Sequence, residues 1–267
     1  MSDVILDIRG LTRRFGQLTA VDSMTLTVRA GEIFGLLGSN GAGKTTAIKM
    51  LTTLLTPTSG DADVAGFSIT TQPVGVRRAI GYVPQMLSVD GSLTGYENLL
   101  LFAKLYDLPH DERKNRIGEA LAFMGLTSDS DRLVAEYSGG MVRRLEIAQS
   151  TLHRPQVLFL DEPTVGLDPI ARDAVWKHLL DVRAHHGTTL FLTTHYLEEA
   201  EEHCDRIAIM HAGKVAALGT CKELEVSPGG GSHTLSEVFV RYAGSPNEVG
   251  GSFRAVAAER ATAQRLG

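Results

Sequence analysis

Short apolar runs bounded by glycine and proline open the chain, and helical spacing takes over in its middle. Val4–Ile8 and Met24–Val28 alternate weakly and predict strands, punctuated by Gly10, Gly16 and Asp22–Ser23. Glu32–Leu37 is an apolar run ending in Gly38, the mark of a buried strand. Ile48, Leu51, Leu54 and Leu55 recur at helical spacing and predict a helix from Lys44 to Leu55, stopped by Pro57. Asp61–Val64 and Gly81–Val83 predict further strands around a helical Val74–Ile80. From Leu93 to Leu152 the spacing is helical (Leu99, Leu100, Phe102, Ala103, Leu105, then Ile117, Leu121, Phe123, Met124), which predicts a helical insert.

After the insert, strands and helices alternate again. Val157–Leu160, Thr188–Thr193, Ile207–Met210 and Lys214–Leu218 predict strands, the last two turned at Ala212–Gly213. Ile170–Arg183 and Tyr196–Cys204 predict the helices between them. Such alternation predicts an α/β fold built on a parallel-stranded sheet. Ser227–Ser232 reads as a flexible linker, Leu235–Tyr242 as a short apolar helix, and the residues from Gly244 as a loosely attached tail. The expected organisation is a main domain over 1–226 with its insert at about 88–152, then linker and closing helix over 227–244, then a tail over 245–267. Arg254–Arg265 has the spacing of one amphipathic helix, although a frayed terminus is the simpler reading.

Composition narrows the class. The 267 residues are 43% hydrophobic and 21% charged, which is globular, and the formal charge is −5. With a pI near 6.0, no broad basic field invites nucleic acid. Two cysteines, Cys204 and Cys221, exclude a disulfide framework, fit a reducing compartment and read as small buried hydrophobes. No apolar run approaches the ~20 residues of a membrane helix, and the first residues lack the pattern of a secretory signal. The 28 glycines exceed the usual share of ~7%, and their positions carry chemistry.

Gly38-Ser39-Asn40-Gly41-Ala42-Gly43-Lys44-Thr45 matches the phosphate-binding P-loop pattern, with Thr46 following it. It stands after a strand and before a helix, where glycine lets successive N–H groups point at phosphate oxygens and the helix dipole adds to them. Lys44 is the candidate for the β- and γ-phosphates and Thr45 for Mg²⁺. Val157–Leu160 delivers Asp161 at a strand's carboxyl end, suited to the Mg²⁺ shell. Glu162 beside it is a candidate general base for an attacking water. Ser138 reads as the N-cap of a helix over Met141–His153, with Gly139 and Gly140 permitting close backbone approach, and so forms a second anion site.

In order, the P-loop, Gln85 in YVPQ, Ser138-Gly139-Gly140, Asp161-Glu162, Gly166-Leu167-Asp168 and His195 in TTH resemble the nucleotide-binding subunit of an ATP-binding cassette (ABC) transporter, over roughly Val4 to Gly244. The resemblance implies a P-loop core with an N-terminal antiparallel β subdomain and a helical insert. It implies ATP and Mg²⁺ as ligands, with Gln85 touching the metal or the water and His195 bonding the γ-phosphate. Phe15 would stack on adenine. It further implies a head-to-tail pair of subunits in which Ser138–Met141 covers the ATP held by the partner's Lys44, with Asp168 at the contact.

Two positions depart from the family's commonest pattern. Met141 stands where LSGGQ has Gln, and Val165 where Ser is common. Tyr137–Met141 followed by Arg143–Arg144, with Leu235–Phe239, resembles the daunorubicin-resistance subgroup of exporters of drugs, polysaccharides and lipids. The expectation is therefore an export ATPase on the cytoplasmic face of the membrane, bound to a separate permease through the insert and Met86–Tyr96. An importer's ATPase stays open, although the stretch after His195 is short for the regulatory domain many of them carry. A soluble ATPase acting on DNA or the ribosome is the other class, disfavoured by one P-loop, no basic patch and too short an insert for coiled coils. A catalytically dead nucleotide-binding regulator would not be expected to keep Glu162 and His195.

Overall fold

The computed structural model describes residues 4–226 and 233–243. In chain order the elements are β1 (Val4–Phe15), β2 (Leu18–Arg29), β3 (Ile33–Leu37), α1 (Lys44–Leu51), β4 (Ser59–Val64), β5 (Phe67–Ser68), α2 (Pro73–Ala79) and β6 (Ile80–Val83). The insert contributes α3 (Gly95–Leu105), α4 (His110–Phe123) and α5 (Gly139–Thr151). Next come β7 (Val157–Asp161), α6 (Pro169–His186), β8 (Thr189–Thr194), α7 (Leu197–His203), β9 (Arg206–His211), β10 (Lys214–Gly219), α8 (Cys221–Glu225) and α9 (Leu235–Ala243).

Two sheets organise these elements. One is antiparallel, in the order β2-β1-β4-β5; the other has six strands in the order β10-β9-β3-β8-β7-β6. In the second, β9, β3, β8, β7 and β6 run parallel, and only β10 pairs antiparallel. Every residue of β3, β7 and β8 is buried. Phe34, Phe159 and Phe191 point to one face, against the antiparallel sheet and α1. Ile33, Leu158, Leu160, Leu190 and Leu192 point to the other, against the insert, α5 and α6. Because both faces are covered, such strands show unbroken apolar runs rather than alternation. A smaller cluster packs α7 and α9 on β9, with Leu235 and Val238 buried, so the closing helix completes the core there.

Three local readings are corrected. The first helix ends at Leu51, not Leu55. The Thr52 hydroxyl donates to Ile48 O at 2.8 Å, Thr53 enters the left-handed region (φ 61°), and Leu54 is exposed. Gly10, expected to end a strand, instead lies inside a twelve-residue β1 at φ 59°, where the pairing with β2 shifts register. This is bulge behaviour, which glycine adopts without steric cost. Cys204 and Cys221 are free and half-buried rather than fully buried. The linker over 227–232 and the tail from 244 lie outside the described residues.

The parallel register brings distant segments of the chain together. Leu37 pairs with Thr194, Asp161 with Thr193, and Val83 with Leu160. The carboxyl ends of β3, β8, β7 and β6 therefore finish side by side at one edge, where ligands of open parallel sheets bind. Phe191 stands at the centre of the supporting core, its ring 5.4 Å from both Phe34 and Phe159. Phe191→Ala is expected to cost about 3–5 kcal/mol, read as a lower denaturant midpoint at unchanged m-value.

Candidate functional site

Each strand end hands one segment to the shared edge. After β3 the chain turns through Gly38–Gly43 into α1. Gly43 takes φ 107°, and a Cβ built there would lie 2.2 Å from Ala20 O of β2, so only glycine fits beneath that strand. Gly38 is equally confined, with Met210 O at 2.6 Å from its notional Cβ, and Gly41 takes φ 84°. Ser39 is half-buried, Asn40 and Gly41 are exposed, and Ala42 is buried. Gly213 N donates to Ala42 O at 3.0 Å, tying the loop to the β9–β10 turn. The loop so formed opens a helix whose first N–H groups are free for an anion.

Lys44 is 5% exposed, and its ammonium donates to Gly38 O at 2.7 Å and Ser39 O at 3.2 Å. Its third neighbour is Glu162 Oε1 at 3.3 Å. Burial pushes the Lys44 ammonium below the ordinary lysine range, and the Glu162 carboxylate pulls it back up. Glu162 Oε2 contacts His195 Nδ1 at 3.1 Å and Gln85 Nε2 at 3.5 Å. One carboxylate thus gathers groups from the ends of β3, β8 and β6.

Asp161 lies beside it. Its Oδ1 accepts from Thr45 Oγ1 at 3.1 Å and from Thr193 Oγ1 at 2.6 Å, while Oδ2 is buried without a partner. A buried, unpartnered carboxylate oxygen next to a hydroxyl suits a hard divalent cation. Among the described residues no group of three or more His, Cys, Asp or Glu is placed to hold a metal.

Thr193, absent from the sequence-predicted set, organises this pair. Its hydroxyl donates to Asp161 and accepts from Glu162 N at 3.0 Å, and its carbonyl accepts from the same amide at 3.2 Å. Glu162 sits at φ 50°, a left-handed conformation costing about 1–3 kcal/mol in a non-glycine residue. The two bonds from its amide hold it there. A second buried group was also missed: Glu199 of α7 accepts from Thr164 Oγ1 at 2.5 Å and from Thr194 Oγ1 at 3.4 Å. It links the segment after Glu162 to the one before His195. Polar residues inside otherwise apolar strand ends, as in Thr193-Thr194, were the available signal.

Other predicted site residues stand apart. Thr46 is half-buried on α1, one residue past Thr45. Ser138 caps α5, accepting from Met141 N at 3.3 Å, and is exposed together with Gly139. Gly139 and Gly140 face Leu167 and Ala171, and a Cβ on Gly140 would meet Ala171 Cβ at 2.9 Å. Asp168 is exposed and caps α6 through Ala171 N at 2.9 Å. Ser138–Met141 and Asp168 therefore adjoin one another but make no hydrogen bond to the Lys44 cluster among the described residues. Phe15 is 45% exposed at the β1–β2 hairpin, with the Arg13 guanidinium 4.6 Å above its ring. An exposed ring at the end of β1, three residues along the hairpin from the strand that covers Gly43, is open to stacking rather than packed in the core.

With this geometry in hand, the likenesses to known proteins are specific. A family profile described as ABC transporter matches residues 21–165. The chain is 46% identical over 227 residues to the daunorubicin/doxorubicin resistance ATP-binding protein DrrA of Streptomyces peucetius, covering 84% of this chain and 68% of that one. It is 39% identical over 249 residues to the Nod factor export ATP-binding protein I of a Rhizobium species (strain N33), covering 93% and 80%. A solved ATP-binding subunit of an ABC transporter superposes with a TM-score of 0.79 at 31% identity, over 89% of this chain and 99% of that one.

Replacing the Thr193 hydroxyl by a methyl group tests the organising role. Thr193→Val is expected to lose about 1–3 kcal/mol of stability, because Asp161 and the Glu162 amide each lose a buried partner. Nucleotide turnover is expected to fall with it. Thermal unfolding alongside a phosphate-release assay measures both, and a stable, fully active variant would remove Thr193 from the site.

Proposed function

The chain belongs to the ABC transporter family as an ATP-binding, ATP-hydrolysing subunit, and from that premise we propose that two copies, or one copy and a homologous subunit, close head to tail on ATP to power export through a separate membrane permease. One observation carries this reading. Lys44 and Glu162 are buried together at the strand ends, whereas Ser138, the other candidate phosphate ligand, faces solvent beside Asp168. One chain thus holds two half-sites that do not meet. A second subunit turned end for end would bring its Ser138–Met141 over the nucleotide on Lys44, and each ATP would then be buried between two chains.

In that assembly each residue has a bounded task. Gly38–Gly43 and the N-terminus of α1 would cradle the phosphates, with Lys44 exchanging carbonyl contacts for phosphate oxygens. Thr45, Asp161 and Gln85 would hold Mg²⁺, which supplies charge neutralisation on the phosphates. Glu162 would accept a proton from the attacking water, and His195, whose Nδ1 stands 3.1 Å from that carboxylate, would hydrogen-bond the γ-phosphate. Phe15 would stack on the base. Met141, whose N–H is taken by Ser138 Oγ at 3.3 Å, would line the lid without the side-chain amide that a glutamine brings there.

Export through a partner is supported by two further observations. Relatives at 46% and 39% identity carry drug-resistance and export names, and no described helix is long and apolar enough to cross a membrane. Met86 is 82% exposed and Leu87 61%, just past Gln85, and Leu101 and Leu105 are exposed on α3. We place the permease against the insert and the segment just past Gln85, where these residues are exposed, with the subunit lying peripherally on the cytoplasmic face. Drug, lipid or polysaccharide is the substrate class proposed, and the drug-resistance name of one relative supports the first of these.

Lys44→Ala is expected to weaken ATP binding by about 10- to 100-fold, the worth of one or two charge-assisted hydrogen bonds, as titration calorimetry would read. Unchanged affinity would place the phosphates elsewhere. Glu162→Gln is expected to bind ATP normally, stop turnover and run as a dimer on a sizing column with ATP and Mg²⁺. Normal hydrolysis by this variant would show that another group is the base, and an inactive, ATP-loaded monomer would overturn the head-to-tail pair.

A further inference from the structure

Residues 84–88, which carry Gln85 from the end of β6 toward the site, make no backbone–backbone hydrogen bond among the described residues. Side chains of one helix hold them instead. Arg143 of α5 donates through Nη1 to Pro84 O at 2.8 Å and through Nη2 to Gln85 O at 3.1 Å. Glu146, one turn along the same face, accepts from Ser88 N at 2.6 Å and Ser88 Oγ at 3.0 Å. The two side chains are themselves joined, Nη1 to Oε2, at 2.9 Å. Arg143 is 3% exposed and Glu146 1%. The segment is therefore gripped on both sides of an exposed Met86–Leu87 tip.

A buried ion pair is weak evidence for stability, since well-packed apolar residues of similar volume often serve the fold as well. What an apolar pair lacks is direction. A guanidinium fork reaches two successive carbonyls at once, and a carboxylate holds a backbone N–H. From this geometry we infer that Arg143 and Glu146 are positioning residues for Gln85, making the 84–88 segment and the helix capped by Ser138 one mechanical unit. The inference rests on the roles proposed for Gln85 and Ser138. The pair's hydrogen bonds go to Pro84, Gln85 and Ser88 and to each other, and it sets where the Gln85 amide stands against Glu162, now 3.5 Å away. It also ties the placement of Gln85 to any movement of α5, so that seating Ser138 on a nucleotide and seating Gln85 beside it become coupled events.

The test uses the full chain and three variants. Arg143→Met/Glu146→Met removes both grips while keeping a filled, uncharged core. Ser88→Pro removes both donors to Glu146 from an exposed position, and so covers the case in which the double variant does not fold. Gln85→Ala reports on the underlying reading. Expected for the double variant and for Ser88→Pro are a melting temperature near wild type, ATP affinity within about twofold and kcat lowered about tenfold or more. In the double variant the Ser88 amide is also expected to lose its protection from hydrogen exchange. A merely structural pair would lower stability and affinity without that split. Wild-type kcat in a folded variant whose 84–88 segment has lost protection would overturn the inference. If Gln85→Ala also turns over normally, the failure belongs to the role given to Gln85; if only Gln85→Ala is impaired, it belongs to the clamp.

Discussion

A lysine ammonium and a glutamate carboxylate held 3.3 Å apart out of solvent set the terms for the rest of this structure. Taking each ion from water costs several kcal/mol, and their attraction offsets that only where further hydrogen bonds complete both groups. Lys44 is completed by two carbonyls of its own loop, and Glu162 by His195 and Gln85. None of these partners is a neighbour in sequence of the other ion. They meet because β3, β8, β7 and β6 run parallel in a register that ends them together. The phenylalanines beneath that sheet and the strained backbone at Glu162 are understood as parts of one support. The strain persists because Thr193 holds the Glu162 amide twice.

The same packing leaves the structure one-sided as a catalyst. The candidate cradle lies against β2 at Gly43, whereas Ser138, the other candidate phosphate ligand, is exposed at the start of α5 beside Asp168. A closed enzyme would pair them within one chain. Their separation within one chain supports the head-to-tail pairing proposed above.

Motion between these parts is constrained by who holds the loops. The 84–88 segment owes its backbone contacts to α5, and the segments around Glu162 and His195 share Glu199. These three segments of the site are thereby fastened to helices, whereas the loop before α1 is tied to the β9–β10 turn. Displacements of a helix would reach the site as displacements of Gln85, Glu162 or His195.

How much of the molecule is legible in its sequence depends on the range of the forces involved. Strands β3, β7 and β8 are legible because burial on both faces forces every position to be apolar, and the P-loop because eight consecutive residues carry all its physics. Asp161, Glu162 and His195 are legible by likeness, as members of an ordered set. The apolar rhythm carries helix α1 four residues past its observed end, because the competition of a threonine hydroxyl for a carbonyl leaves that rhythm intact. Gly10 has the look of a break and is a bulge, since only a partner strand distinguishes the two. Thr193, Glu199, Arg143 and Glu146 look like generic polar residues until their partners are in place. By itself the sequence determined the fold class, and it marked the candidate cradle by local spacing and the candidate reacting groups as members of an ordered set of motifs. Tertiary structure alone decided which buried polar atoms meet, because a hydrogen bond acts over about 3 Å and its partners here arrive from opposite ends of the chain.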